Sequence, residues 1–338
     1  MRAMSDSSSD LSSHPFSRLT PQRVLDALDH VLVTLGMRAD GRLLPLNSYE
    51  NRVYQAGIED GPPIVAKFYR PQRWTNEAII EEHAFVAELA EREIPAVPAR
   101  LIDGRTLHEF EGFRFAIFER RGGRAPEIDR PDTLQWLGRF IGRIHAVGAT
   151  HPYQARPTFD IQSFGYEPRD FLLASGFVPV DVRAAYEAAV ALALEGVERA
   201  FERAGEVRLL RLHGDCHAGN VLWTDAGPHF VDFDDSRMGP AIQDLWLLLP
   251  STHANVALAD VLSGYEDFCE FVPRELYLVE ALRTLRLIHY AAWLARRWDD
   301  PAFPAAFPWF NTQRYWEERV LELREQIAAM QEAPLWPI

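Results

Sequence analysis

The sequence predicts an α+β protein of two lobes, a small β-rich one followed by a larger helical one. Three observations predict it. Between residues 43 and 119, short runs rich in Val, Ile and Tyr alternate with acidic-Gly turns. Residues 119–126, ERRGGRAP, are polar and glycine-rich, the composition of a linker. Downstream, helical spacing of apolar residues dominates. A chain of 338 residues fits about two domains at the usual length of roughly 150 residues each. The expected division is a disordered tail over 1–18, an N-terminal α/β lobe over 19–118, a hinge over 119–126 and a helical C-terminal lobe over 127–338.

Taken in order, the serine-dense start MRAMSDSSSDLSSH has no apolar core and predicts neither a secretory signal nor packed structure. Thr20-Pro21 then opens a helix through VLDALDHVLVTLG, stopped by Gly36. ENRVYQAGI and PPIVAKFYR, separated by Glu59-Asp60-Gly61, predict a hairpin with an Asp-Gly turn. A helix is expected over Asn76–Arg92, ended by Pro95 and Pro98. A second strand pair, near Thr106–Phe110 and Phe113–Glu119, turns at Glu111-Gly112. Later helices are expected over Pro131–Val147, Arg183–Ala204, Ala241–Leu249, Leu276–Arg297 and Tyr315–Gln331, interrupted by short β segments at Arg208–Trp223 and Pro228–Asp232. No internal repeat is visible.

Composition narrows the function. The net charge of −14 argues against a nucleic-acid surface. No apolar run approaches the roughly 20 residues of a membrane span. Cys216 and Cys269 are the two cysteines and lack C-x-x-C spacing, so neither a disulfide framework nor a thiolate zinc site is expected. A cytoplasmic protein is predicted, of unspecified oligomeric state.

The chemistry concentrates in His213-Gly214-Asp215-Cys216-His217-Ala218-Gly219-Asn220, followed by Val231-Asp232-Phe233-Asp234-Asp235. Phosphoryl transfer from ATP needs a carboxylate to orient the attacking hydroxyl and accept its proton, and oxygen ligands to hold Mg²⁺ on the phosphates. Asp215 and Asn220 have the D-x-x-x-x-N spacing of kinase catalytic loops, and Asp232-Phe233 stands where a metal-binding D-F-G would be. Solvated ends of an ordinary hairpin are the bland alternative; zinc held by His213, Asp215 and His217 is another.

HGDCHAGNVLW…FVDFDD resembles the motif of the aminoglycoside phosphotransferase and choline kinase superfamily, which has a protein-kinase-like fold. PLNSYENRVYQ, VAKFYRP, RLHGDCHAGN, VDFDDSRMGPAIQDLW and DPAFPAAFPWF together are similar to the bacterial stress response kinase A family, also called YihE or RdoA. Its members are described as cytoplasmic serine/threonine protein kinases linked to envelope stress. The resemblance runs from about Leu19 to near the C-terminus. It implies a bilobal kinase fold with Asp215 as catalytic aspartate and Asn220 and Asp232 as Mg²⁺ ligands. Asp234 and Asp235 either support the metal or cap the turn.

Lys67, ending the apolar run Ile64–Ala66, can reach the α- and β-phosphates as in V-A-I-K, or simply be solvated. Glu81 and Glu82 are its candidate ion-pair partners, and comparison of IIEEHAF with related kinases favours Glu82. No G-x-G-x-x-G precedes Lys67; Asn47, Ser48 and Asn51 stand there instead, and the resemblance points to Ser48 as an ATP contact. Backbone groups near Phe118–Arg120 are expected to face adenine. Asp244 is expected to accept hydrogen bonds from the catalytic loop, with Cys216, His217 and His145 as packing residues. The stripe Trp293, Trp298, Phe303, Phe307, Trp309 and Phe310 reads as core, with Asp299 and Asp300 candidates to meet a cationic acceptor. The function expected is an ATP–Mg²⁺ serine/threonine protein kinase. A small-molecule hydroxyl kinase is the alternative, because no A-P-E segment follows Asp232, and a nucleotide-binding pseudokinase is a further one.

Overall fold

The computed structural model describes His14, residues 16–250 and residues 253–336. The expected tail lies largely outside the described residues. The chain divides into two compact units, one of residues 1–80, 98–120 and 299–303, the other of residues 81–97, 121–298 and 304–338.

The first unit opens with α1 (Pro21–Leu32), capped by the Thr20 hydroxyl, which accepts from Arg23 N at 3.3 Å. A short 3₁₀ turn carries it to Gly36, where φ is +65°, the left-handed stop that the sequence predicted. Strands β1 (Ala39–Leu46), β2 (Arg52–Ile58) and β3 (Gly61–Phe68) follow, then helix α2 (Asn76–Glu91), which after Ile80 belongs to the second unit, then β4 (His108–Phe110) and β5 (Phe113–Glu119) of the first. The sheet is antiparallel, in the order β1-β2-β3-β5-β4.

Strand β1 was not expected. It is an edge strand, mostly exposed and interrupted by Pro45, which an edge tolerates because one row of its amides pairs with nothing. The first hairpin turns on Glu59 and Asp60, since Ile58 pairs with Gly61; Gly61 begins β3 rather than sitting within the turn. The β4–β5 turn has φ positive at both Glu111 and Gly112, as a two-residue hairpin of primed type requires. Val24, Leu28 and Leu32 of α1 pack with Ile58, Ile64, Phe68, Phe115 and Ile117 of the sheet in one buried cluster.

The second unit is mostly helical: α3 (Pro131–Gly148), α4 (Glu167–Ser175) and α5 (Val180–Ala204) lead into four short strands. These are β6 (Leu210–Arg211), β7 (Val221–Thr224), β8 (Gly227–Phe230) and β9 (Met238–Gly239). Then come α6 (Ile242–Leu245), α7 (Ala254–Tyr265), α8 (Val279–Arg296), α9 (Ala302–Ala306), which begins in the first unit, and α10 (Gln313–Ala329). The helix expected over Ala241–Leu249 is only α6 and a 3₁₀ turn. The β segment expected over Arg208–Trp223 breaks into β6, a loop and β7. Helix α7 escaped the sequence reading because ANVALADVLSGY is apolar around much of its circumference and shows little periodicity. None of the described helices is long and apolar enough to cross a membrane.

Candidate active site

The stretch from Leu212 to Asp235 is one excursion closed at its base by β6 and β9, where Leu210 pairs with Gly239 and Arg211 with Met238. Its tip is the β7–β8 hairpin, with Val221 opposite Phe230. One residue below, Val231 N donates to Asn220 O at 3.0 Å, so Asn220 and the segment entering Asp232 run side by side. Asn220 Nδ2 donates to Asp215 O at 2.9 Å, which fixes the amide and leaves its oxygen as an acceptor. His213 Nε2 bonds Val231 O at 3.0 Å, tying the start of the loop to the same segment. Asp215, Asn220 and Asp232 are thereby brought together.

Two backbone features depend on residue type. Gly214 has φ +88°, and a Cβ there would collide with the Asp235 carbonyl oxygen. Asp232 has φ 60° and ψ 62°, a left-handed conformation that a short polar side chain tolerates better than most. Beneath the loop, Asp244 accepts from His213 N (Oδ2) and Gly214 N (Oδ1), both at 2.8 Å, and pairs with His145 Nε2 at 3.0 Å. His145 Nδ1 meets Tyr265 OH at 2.9 Å. Asp244 is therefore the support that the sequence suggested, and His145, expected only to pack, backs it through a hydrogen bond.

Asp215 is engaged by a residue that the sequence reading missed. Arg286 Nη1 on α8 donates to Asp215 Oδ1 at 2.7 Å, and His217 Nε2 lies 3.5 Å from Oδ2. Burial pushes the carboxyl up, but the His217 hydrogen bond and the Arg286 charge outweigh it, against the pull of Asp235, and hold it below the usual carboxylate range. Arg286 lies 71 residues from Asp215, and no local pattern marks it. Cys216 is fully buried; burial, with the charges of Asp244 and Asp215, pushes its thiol well up, as an inert thiol requires.

The zinc alternative fails on hydrogen bonding. Both ring nitrogens of His213 are engaged, Nε2 by Val231 O and Nδ1 by Asp215 N at 3.4 Å, and the ring packs 4.3 Å from that of Phe233. Among the described residues no group of three or more His, Cys, Asp or Glu is arranged to hold a metal. The Asn220 amide oxygen and the Asp232 carboxylate are instead hard oxygen donors, a pair suited to a divalent cation that completes its shell with phosphate and water. Asp234 is buried, and Asp235 Oδ1 accepts from Arg237 Nη2 at 3.0 Å.

In the first unit, Lys67 is 7% exposed on β3, paired with Val53 of β2 and Ala116 of β5. Its ammonium lies 5.4 Å from the Tyr69 ring centroid. Leu46 pairs with Val53, so the Ser48 loop leaves the sheet at the Lys67 row. That loop is anchored from far along the chain. Asp300, buried, accepts from Arg52 Nη2 at 2.9 and 2.8 Å and from Arg70 Nη2 at 2.8 Å. Arg70 Nε donates to Glu50 O at 2.9 Å, and Asn51 Oδ1 accepts from Arg70 N at 3.0 Å. The Phe16 ring lies 4.6 Å from the Arg52 guanidinium. Asp300 is thus consumed in a buried ion pair and is not available to a cationic acceptor. Phe303 and Phe310 are buried, whereas Trp309 is exposed.

Glu81 and Glu82 belong to the second unit. The Glu81 carboxylate accepts from the backbone amides of Gln154, Ala155 and Arg156 at 2.5, 2.9 and 2.8 Å. Glu82 is 4% exposed, with Arg156 Nη2 at 3.9 Å and His83 Nε2 at 3.8 Å from Oε2.

Residues 42–279 match the model of a phosphotransferase enzyme family. Stress response kinase A of Escherichia coli K12 is 43% identical over 327 residues, 96% of this chain and 97% of that protein. The serine/threonine protein kinase RdoA of Salmonella typhimurium is 42% identical over 322 residues, 95% of this chain and 96% of that one. Among solved structures, an amicoumacin kinase bound to AMP-PNP and Ca²⁺ has a TM-score of 0.68 at 17% identity, covering 88% of this chain and 91% of its own. A spectinomycin phosphotransferase gives 0.66 at 15%, covering 92% and 98%. That level of identity shows a shared fold. The chain therefore belongs to the phosphotransferase enzyme family, within its stress response kinase A group, and is a kinase.

Proposed function

We propose that the chain transfers the γ-phosphate of ATP, with Mg²⁺, to a serine or threonine hydroxyl of a protein. The observation that carries this is the tethering of Asp215, Asn220 and Asp232 on one closed excursion, where the Asn220 amide nitrogen donates to the Asp215 backbone carbonyl and Val231 N to the Asn220 carbonyl. Asp215, kept anionic, orients the acceptor hydroxyl and takes its proton as the new oxygen–phosphorus bond forms and the bond to ADP breaks. Asn220 and Asp232 hold the metal, whose charge offsets that of the phosphates. Ser48, Lys67 and Glu82 serve the nucleotide. The protein acceptor is favoured by relatives named as serine/threonine protein kinases, at identities above 40% over almost the whole chain.

The second reading is a small-molecule hydroxyl kinase. It is favoured by the short interval between Asp232 and α6, which leaves no long activation segment. Purified protein, γ-labelled ATP and a panel of peptides and metabolites separate the two. Rapid labelling of one metabolite with no labelled peptide or protein overturns the first. Asp215→Asn is expected to lose at least about 10²-fold in turnover while keeping ATP affinity. Unchanged turnover would remove Asp215 as the base.

A further inference from the structure

An acceptor hydroxyl that bonds Asp215 has to come within about 3 Å of its carboxylate. Arg286 already occupies one edge of that carboxylate, at 2.7 Å from Oδ1, with its side chain 46% exposed. A charge carried next to the acceptor hydroxyl therefore lies within a few ångströms of a guanidinium.

The surroundings reinforce the sign. Arg237 rests on Asp235, and its guanidinium stacks 4.7 Å over Phe164, whose ring lies 4.4 Å from His289. His289 is on α8, one helical turn beyond Arg286. Burial first, and then the charge of Arg237, push His289 down to about 3 against the pull of Asp235, with Arg296 and Arg297 adding to the shift. His289 thus brings no charge of its own, and the charged groups there are the arginines and the carboxylates. Of the carboxylates there, Asp215 and Asp235 are each paired with an arginine, Asp232 is assigned to the cation, and Asp234 is buried. An ammonium beside the hydroxyl would meet like charge, and a carboxylate would meet its complement.

We propose that Arg286 selects the acceptor: the hydroxyl activated at Asp215 belongs to a serine or threonine segment carrying an acidic side chain beside it, and ammonium-bearing acceptors are disfavoured. This rests on the reading of Asp215 as the base and narrows the class of substrate that it serves.

The test uses the full chain, γ-labelled ATP and two matched serine peptides, one flanked by Glu and one by Lys, with ethanolamine as the amine probe. The wild type is expected to favour the Glu peptide by about 10-fold or more in kcat/KM. In Arg286→Gln the preference is expected to fall to about 2-fold through a higher KM for the Glu peptide, while Arg286→Lys keeps most of it. Arg286 also helps to keep Asp215 anionic, so a fall in kcat common to both peptides accompanies Arg286→Gln; retention of the wild-type preference for the Glu peptide in that variant overturns the proposal. Equal use of the two peptides by the wild type, or preference for the Lys peptide, overturns it without any variant. Labelling of ethanolamine and of neither peptide is a different failure, because it defeats the protein-kinase reading itself.

Discussion

Two loops of this chain are ordered in opposite ways. Within the Leu212–Asp235 excursion the candidate residues are tied to one another, Asn220 to Asp215 and Val231 to Asn220. Asp244 supports the start from about 30 residues away, while Arg156 and Arg286 reach it from farther along the chain. The Ser48 loop is held through Arg52 and Arg70 by Asp300, which lies 248 and 230 residues away along the chain. Local ordering leaves a readable motif, because ligand-type residues and their supports share one stretch of sequence. Remote ordering leaves an unmarked aspartate whose partners only folding supplies.

Paired substitutions break this comparison most directly. Asp215→Asn is expected to abolish most phosphoryl transfer, by the 10²-fold or more given above, while leaving the unfolding midpoint in urea nearly unchanged. Asp300→Ala is expected to do the reverse in kind. It leaves two largely buried guanidinium groups without their shared carboxylate and should cost about 3 kcal/mol of stability in urea unfolding. A loss below about 1 kcal/mol would show that the Ser48 loop does not depend on its remote anchor.

A smaller effect concerns the support of α6. Glu275 is buried and accepts from Ile242 N at 2.9 Å; burial pushes its carboxyl up to about 7, against the hydrogen bonds from Ile242 and Ala241. A folded value above the unfolded one near 4.3 means that this group's contribution is fully present below about pH 4 and is lost as pH rises through 7. Thermal melts should therefore show stability declining from pH 5 to pH 8, by on the order of 2 kcal/mol. Glu275→Gln should flatten that decline, and an unaltered slope would remove Glu275 as its source. The smallest effect is at the cysteines. Native protein treated with an alkylating agent should be modified at Cys269, which is partly exposed, and spared at Cys216 within the catalytic stretch, with activity retained. Peptide mass mapping reads the outcome, and an adduct on Cys216 contradicts its burial.

Much of the fold was legible because its signals are local. Thr20-Pro21 and Gly36 bracket the first helix, Glu111-Gly112 makes a turn with two positive φ angles, and Lys67 follows the apolar run Ile64–Ala66 near the end of β3. Where the structure departed, the signal was weak for a physical reason. The edge strand β1 buries little and so shows little alternation, and α7 packs on α3 through close approaches at Gly138, Gly142 and Gly264, which call for small residues rather than for periodicity.

By itself, the sequence determined the phosphoryl-transfer chemistry and the candidates Asp215, Asn220 and Asp232, because hydroxyl activation and cation binding demand particular side chains at short, fixed spacing. Tertiary structure alone decided that Arg286 meets Asp215, and that Asp300 is a buried anchor rather than an acceptor contact. Opposite charges far apart in sequence pair only after packing has brought them within a few ångströms and displaced the water between them.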